Sequence, residues 1–484
     1  MRIDPGVPGP VIVWLRNDLR LADNPALKAA ADTGRPVIPL YILDETPGVR
    51  PMGAASLWWL DKSLRALSES LKAIGSKLVL RRGPAQQVLK DLVVHAQAAG
   101  VVWNRLYEPA AIARDAEIKT ALKADGVVVE SCIAGLLNEP WTVQNGSKQP
   151  YKVFTPYWRA ARAHLTHVEV EPAPKRLQAP EHWPHSDALD GWGLHPRKPD
   201  WSKGFSIWTP GEAGALQRLD DFLSGAVDGY GEGRDVPGLE ATSRLSPHLH
   251  FGEIGPRQVW AAARTAAEAG DAPHGEIEKF LSEVGWREFN HSILFNWPQL
   301  PERNFRPEFD AFPWTENPKG LEAWIEGRTG YPLVDAGMRE LWATGFMHNR
   351  VRMITASFLI KHLLVDWRDG ESWFWDTLVD ADLANNVGNW QWVAGSGADA
   401  SPYFRIFNPI GQGEKFDPKG AYVRKWVPEL ANLPDSVIHQ PWTAPAHLSV
   451  EAKRSYARPI VDHGQARARA LEAYRQLRGD ASGE

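Results

Sequence analysis

The sequence predicts an α/β domain followed by an all-helical one, joined by a long connector. Three observations carry this. Residues 11–137 alternate short apolar runs with stretches of helical apolar spacing. Residues 138–205 lose both periodicities and gather proline, tryptophan and turn formers. From about residue 206 the spacing is helical to the end. At 484 residues the chain is too long for one simple core, so two or three domains are expected.

In order, "VIVWL" (11–15) reads as a buried strand and "NPALKAAADTG" (24–34) as a helix closed by glycine. "PVIPLYIL" (36–43) is a second strand, and "SLWWLDKSLRALSESLKAIGS" (56–76) a helix ending at Gly75. "KLVLRRG" (77–83), "VVWNRLY" (101–107) and "VVVESCIAG" are further strands, separated by the helices "AQQVLKDLVVHAQAAG" and "AAIARDAEIKTALKADG". Repeated β-α units imply a parallel, doubly wound sheet. No G-x-G-x-x-G follows the first strand; "RNDLRLADNP" stands there, so the sheet need not hold a dinucleotide. The expected domains are 1–137 (α/β), 138–205 (a surface connector) and 206–484 (helical).

Composition narrows the class. No apolar run approaches the roughly 18 residues of a membrane span, and "VIVWL" is too short for a signal-peptide core. The single cysteine, Cys132, excludes an intramolecular disulfide and a Cys-built zinc site. A cytoplasmic location is the resulting expectation. With a net charge of −5, any attraction to nucleic acid must come from a local patch.

Four segments carry chemistry. "TSRLSPHLHFGEIGPRQ" (242–258) places three hydroxyls and an arginine in five residues, which suits a phosphate and equally an N-capped loop. "FLSEVGWREF" (280–289) puts Glu283, Trp286 and Arg287 on one helical face, as a ligand wall or as an ion pair beside a core indole. In "MHNRVRMITASFLIKHLL" (347–364), Asn349, Arg352, Met353 and Ala356 share a face, while Val351, Ile354 and Phe358 turn towards a core. "DADLANNVGNWQW" (380–392) combines Asp380 and Asp382, which accept hydrogen bonds, with Asn386 and two indoles, Trp390 and Trp392, that stack on planar rings. No third carboxylate or histidine stands at metal spacing there.

Taken together and in order, these segments resemble the DNA photolyase/cryptochrome family over nearly the whole chain. "WLRNDLRLADNPAL" (14–27), "YKVFTPYWRA" (151–160), "WREF", "GYPLVDAGMREL", "TGFMHNRVRM", "DWRDG" and "NWQWVAGSGADASPYFRIFNP" (389–409) look like its landmarks. The resemblance is to bacterial photolyases for cyclobutane pyrimidine dimers (CPDs), of class III or class I. It implies that FAD, bent so that flavin and adenine adjoin, binds in the helical domain. Matching positions assign Tyr230, Thr242, Ser243, Arg244, Leu245 and Ser246 to the phosphates and nearby groups, and Phe280 and Arg287 to the same cofactor. Arg352 is expected to pair with Asp380 against the flavin, Asp382 to meet its polar edge, and Asn349 and Glu283 to lie by the flavin–adenine cleft. Asn386 matches the position facing flavin N5, where plant-type cryptochromes usually carry Asp and insect ones Cys; an amide there favours the reduced FADH⁻.

The same resemblance implies light-driven repair of UV-damaged DNA, single- or double-stranded. An electron passes from excited FADH⁻ to a flipped-out dimer and returns after the ring splits. Trp286 and Trp392 are expected to hold the dimer, Glu283 and Asn349 to bond its edges, Met353 to touch it and Arg350 to grip phosphates. Trp390, Trp367 and Trp314 match a photoreduction chain. Where folate-binding relatives carry an Asn-Glu pair, this chain has Ala110 and Ala111, but Trp58 and Trp59 offer stacking surfaces for an antenna, expected to be 5,10-methenyltetrahydrofolate. Phe280 and Phe346 stand where some relatives have tryptophan. A monomer, associated with the nucleoid when on DNA and without an obligate protein partner, is the family expectation. The family's C-terminal signalling extension is missing after "RQLRGDASGE", which weighs against a cryptochrome-like light sensor. "HNRVRM" lacks the histidine pair of (6-4) photolyases. A nucleotide-binding module built on the sheet alone leaves the helical region without a purpose.

Overall fold

The computed structural model describes residues 1–484 except 2, 4, 5, 166, 167, 401–403 and 481–484. Positions 401–403 of the 389–409 motif and the last four residues of the chain therefore lie outside the described residues. Five strands form one parallel sheet: β1 (Val11–Leu15), β2 (Val37–Asp44), β3 (Val79–Gly83), β4 (Gly100–Asn104) and β5 (Val128–Cys132), in the order β3-β2-β1-β4-β5. The helices between them are α1 (Pro25–Ala31), α2 (Ala54–Ala73), α3 (Ala85–Ala96) and α4 (Pro109–Ala124). Every residue of β1 and β4 is buried, as expected of central strands covered on both faces. Asn24 caps α1 by accepting from the Leu27 N–H, with Pro25 in the first turn where no donor is needed.

The loop after β1, where a nucleotide-binding sheet would carry glycines, is filled by side chains. Arg16 donates to both oxygens of Asp115 at 2.9 and 2.7 Å, and its guanidinium lies 4.4 Å from the Trp14 ring centroid. Arg114 stacks on the same indole at 4.8 Å and bonds Asp44 and Asp115. Two arginines and two carboxylates thus occupy the carboxyl edge of the sheet, the place where such sheets take ligands.

Beyond the sheet the helices are α5 (Phe154–Ala163), α6 (Glu212–Asp221), α7 (Tyr230–Gly233), α8 (Ser246–His250), α9 (Pro256–Ala269), α10 (His274–Asn296), α11 (Pro318–Ile325), α12 (Pro332–Thr344), α13 (Asn349–Ser357), α14 (Trp367–Thr377), α15 (Leu383–Ala394), α16 (Pro409–Phe416), α17 (Ala421–Trp426), α18 (Val450–Tyr456) and α19 (His463–Asp480). No helix among the described residues is long and apolar enough to cross a membrane. The connector is less irregular than its composition implies. It contains α5, whose apolar residues at 154, 157, 158 and 161 keep helical spacing despite Pro156 near its start.

The chain gathers into two compact units. The first comprises Met1–Asp200, Trp208–Val227 and Ser243–Pro298; the second Trp201–Ile207, Asp228–Thr242 and Gln299–Glu484. A sequence boundary near residue 205 does not coincide with this division, because polar anchors tie α6, α8 and α10 to the sheet side. Glu212 of α6 accepts from the Leu21 and Ala22 N–H groups at 2.8 and 2.9 Å. Arg20 donates to the Gly252 carbonyl after α8 at 2.9 Å. At Gly252 (φ +64°) a Cβ would stand 2.0 Å from the Asn17 carbonyl oxygen, so only glycine allows that approach. Glu288 of α10, fully buried, accepts from the Leu137 and Asn138 N–H groups at 2.8 and 3.1 Å.

Burial pushes the Glu288 carboxyl up to about 7, against the nearby Arg287 and the two N–H donors. In the unfolded chain it titrates near 4.5. The folded state therefore binds the extra proton between those values. Stability from this group is complete below about 4.5 and is lost as pH rises through about 7. Glu288→Gln removes that titration. In urea denaturation the variant gains on the wild type between pH 5 and pH 8 by up to about 3 kcal/mol. Parallel profiles at the two pH values would contradict this.

Candidate functional site

In the second unit, α13 begins at Asn349 because His348 caps it, its Nδ1 accepting from the Arg350 N–H at 3.2 Å. Burial lowers His348 to about 4, which keeps that nitrogen an acceptor at neutral pH. One turn on, Arg352 donates through Nη2 to Asp380 Oδ2 at 2.9 Å and through Nε to the Met347 carbonyl at 2.7 Å. Its guanidinium lies 5.1 Å from the Phe346 ring centroid. Val351, Ile354 and Phe358 are fully buried, as their spacing requires; Asn349 is exposed, and Arg352 and Met353 are half-buried.

The segment after Asp380 turns into α15 at Asp382, which is the helix N-cap. One of its oxygens accepts from the Asn385 N–H at 2.8 Å and from the Asn385 amide at 2.7 Å. Asn386 follows within the first turn. Its amide nitrogen donates to the Glu371 carboxylate at 2.8 Å and to the Glu371 backbone carbonyl at 3.1 Å. That orientation fixes Asn386 Oδ1 as the group left for another donor. Among the described residues no cluster of histidine, cysteine or carboxylate side chains suits a metal ion.

Further along α15, Trp390 is buried against Phe374 (centroids 5.0 Å apart) and Trp324 (6.2 Å). Gly370 of α14 makes this packing possible, since a Cβ there would stand 2.2 Å from Trp390 Cη2. Trp367, at the start of α14, is fully buried and donates to Asn304 Oδ1 at 3.1 Å. Trp314 is half-buried against Phe312, centroids 4.4 Å apart, and Trp392 is also half-buried. The three indoles assigned to an electron chain therefore run from buried to partly exposed. Tyr230 opens α7 and is buried. Arg350, expected to grip phosphates, already has partners within the protein. It pairs with Asp235 at 2.7 Å, lies over Phe416 at 4.4 Å and is only 19% exposed.

In the first unit, α10 turns Trp286 and Glu283 to a half-buried face. Glu283 lies 3.9 Å from Lys279. Arg287 donates to the Gly135 carbonyl at 2.6 Å and lies 3.7 Å from Glu288. Through that bond it buttresses the loop after β5. Phe280 is buried against Phe222, centroids 4.6 Å apart. Ser243, Arg244, Leu245 and Ser246 run into α8, with Leu245 at the N-cap and Arg244 held at φ +51°. A non-glycine residue in that region is strained, and such strain concentrates at functional loops.

Trp59 does not offer a stacking face. It is fully buried, edge-on to Trp58, Trp208 and His248 and parallel to Phe251, and its indole N–H donates to Glu253 at 2.9 Å. Trp58 is 5% exposed, with Lys62 Nζ 5.8 Å from its ring centroid. Sequence reasoning missed Glu371 and Phe154. Glu371 was legible as the residue one turn after Trp367 in "DWRDGESW", and Phe154 as the first aromatic of "VFTPYW".

A family model described as the FAD binding domain of DNA photolyase matches residues 280–476, and one described as DNA photolyase matches residues 11–180. A deoxyribodipyrimidine photo-lyase of Agrobacterium fabrum is 55% identical over 471 residues, covering 96% of this chain and 97% of its own. Cryptochrome-2 of Arabidopsis thaliana is 40% identical over 472 residues, covering 94% of this chain and 77% of its own. The crystal structure of a bacterial class III photolyase from Agrobacterium tumefaciens aligns with a TM-score of 0.92 at 53% identity, covering 97% of this chain and 98% of that one.

Proposed function

The chain belongs to the DNA photolyase/cryptochrome family, and on that premise we propose that it splits cyclobutane pyrimidine dimers in UV-damaged DNA under blue light. The observation that carries the reading is the amide of Asn386, bound through its nitrogen to Glu371. Its remaining oxygen is an acceptor and brings no acidic proton, which suits the N–H of a reduced flavin ring. Each unit carries donors that suit FAD: in the second, an Arg352–Asp380 pair with Asp382 for the polar ring edge, and Tyr230 and Thr242; in the first, Ser243, Arg244, Leu245 and Ser246, with hydroxyls, a guanidinium and backbone N–H groups of the kind that hold phosphates. When bound and fully reduced, FAD supplies the photoexcited electron that opens the dimer.

The protein's own residues then position and shield. Asn386 holds a ring proton in place, and Arg352 supplies a fixed positive charge, its side chain tied at both ends. Towards a dimer, the first unit offers the indole of Trp286 and the carboxylate of Glu283, and the second offers the indole of Trp392, the amide of Asn349 and the apolar Met353. A dimer stacks poorly in the duplex, so flipping it out costs less than flipping an intact base. Trp390, Trp367 and Trp314 carry electrons that restore the reduced flavin. Residues 1–137 would serve the antenna, where Trp58 would offer its ring to a 5,10-methenyltetrahydrofolate. The protein works as a cytoplasmic monomer on single- or double-stranded DNA.

A light sensor of the cryptochrome kind and a (6-4) photolyase are the competing readings. Reduced protein is to be mixed with oligonucleotides carrying one thymine CPD or one (6-4) product, then illuminated. Restored thymines from the CPD alone are expected. Repair of the (6-4) product only, or of neither with FAD bound, would overturn the reading. Trp390→Phe is expected to slow photoreduction of oxidised flavin at least tenfold while leaving repair by pre-reduced protein in place. Unchanged transient-absorption kinetics would remove Trp390 from the route.

A further inference from the structure

The "YKVFTPYWRA" segment belongs to neither the flavin residues nor the dimer residues, yet it folds into α5 directly behind one of the latter. Phe154, the first helical residue, lies flat on Trp286 of α10, with ring centroids 3.9 Å apart and planes 8° from parallel. Trp158, one turn on, continues the stack behind Phe154 at 6.4 Å and 14°. Phe289 closes the edge, nearly perpendicular to both Phe154 (6.0 Å, 75°) and Trp286 (5.8 Å, 80°). Trp158 reaches its place because residue 285 is glycine; a Cβ there would stand 2.6 Å from Trp158 Cδ2. One face and one edge of Trp286 are thus occupied by rings, and the residue remains half-buried.

We propose that Phe154 is a positioning residue for damaged-DNA recognition, fixing the plane of Trp286 so that its opposite face is a preformed platform for a planar base. The inference rests on the assignment of Trp286 to the dimer. A lone indole on a helix rotates about two side-chain torsions, and a base stacking on it must first stop that rotation. A ring already stacked behind it removes that cost from binding, which is preorganisation. Base–aromatic stacking is sequence-tolerant, so the platform reads the shape of an extruded dimer and not its sequence context. Phe154 and Trp158 sit at i and i+4 on α5, and Gly285, Trp286 and Phe289 supply the facing surface of α10. Aromatic spacing on one helix and a glycine on the other together build the stack.

The test is a double-mutant cycle on FAD-loaded protein, in darkness, with binding to a CPD oligonucleotide and to its undamaged counterpart read by fluorescence anisotropy. Phe154→Leu keeps apolar volume but loses the flat ring. It is expected to weaken CPD binding roughly three- to tenfold, with undamaged-DNA affinity and FAD content unchanged. Phe154→Tyr restores the wild-type value. Placed on Trp286→Ala, Phe154→Leu is expected to add no further loss, because the residue it positions is gone. An equal loss in both backgrounds, or wild-type affinity for Phe154→Leu while Trp286→Ala binds weakly, would overturn the positioning role. Wild-type affinity for Trp286→Ala would instead overturn the assignment of Trp286 itself, and the proposal with it.

Discussion

The ion pair between Arg352 and Asp380 is the constraint on which the second unit's chemistry rests. It ties α13 to the polar segment that leads into α15. Arg352 is held at its other end by the Met347 carbonyl, so the guanidinium is fixed before any ligand arrives. Removing one member of such a partly buried pair leaves a charge with poor hydration. Everything downstream is set by that segment: Asp382 caps α15, Asn386 falls within its first turn, and Trp390 and Trp392 follow on the same helix. A few residues of register error there would move Asn386, Trp390 and Trp392 together.

Tryptophan abundance is a poor guide to function in this chain. There are 23, and many of those at the centre of packing have no visible chemistry. Trp14 serves as a flat support for two arginines, and Trp59 fills a buried aromatic cluster. Trp324 donates its indole N–H to the Thr355 carbonyl at 3.0 Å within a helical core. The buried indole N–H groups of Trp14, Trp390 and Trp426 have no hydrogen-bond partner within the protein, so that feature alone does not separate a packing indole from any other.

The sheet was legible from its apolar runs, because strands covered on both faces leave continuous hydrophobic sequence. The helical face of α13 was legible for the mirror reason: apolar and polar residues separate cleanly at 3.6-residue spacing. What escaped was everything decided by a partner far along the chain. Arg287 and Glu283 have ion-pair spacing, yet Arg287 turns to the Gly135 carbonyl and the buried Glu288. Arg350 reads as a cation for phosphates, and nothing near it in sequence announces its ion pair with Asp235. The helix α5 was hidden by Pro156 and by the proline-rich sequence that follows it, although its aromatic spacing was intact. Asp382 was read as an acceptor for a ligand, while its position before an apolar run also marked a helix cap.

The central claim is that the amide at Asn386, oriented by Glu371, keeps a reduced flavin competent for repair. The direct measurement is CPD repair per photon absorbed by the pre-reduced flavin, comparing wild type with Asn386→Asp at equal FAD content, in light and in darkness. The account predicts light-only repair by the wild type and a loss of at least tenfold in the variant, because a carboxyl group replaces a neutral acceptor with one that can ionise or donate a proton. Equal repair yields from the two proteins, or repair in darkness, would contradict it.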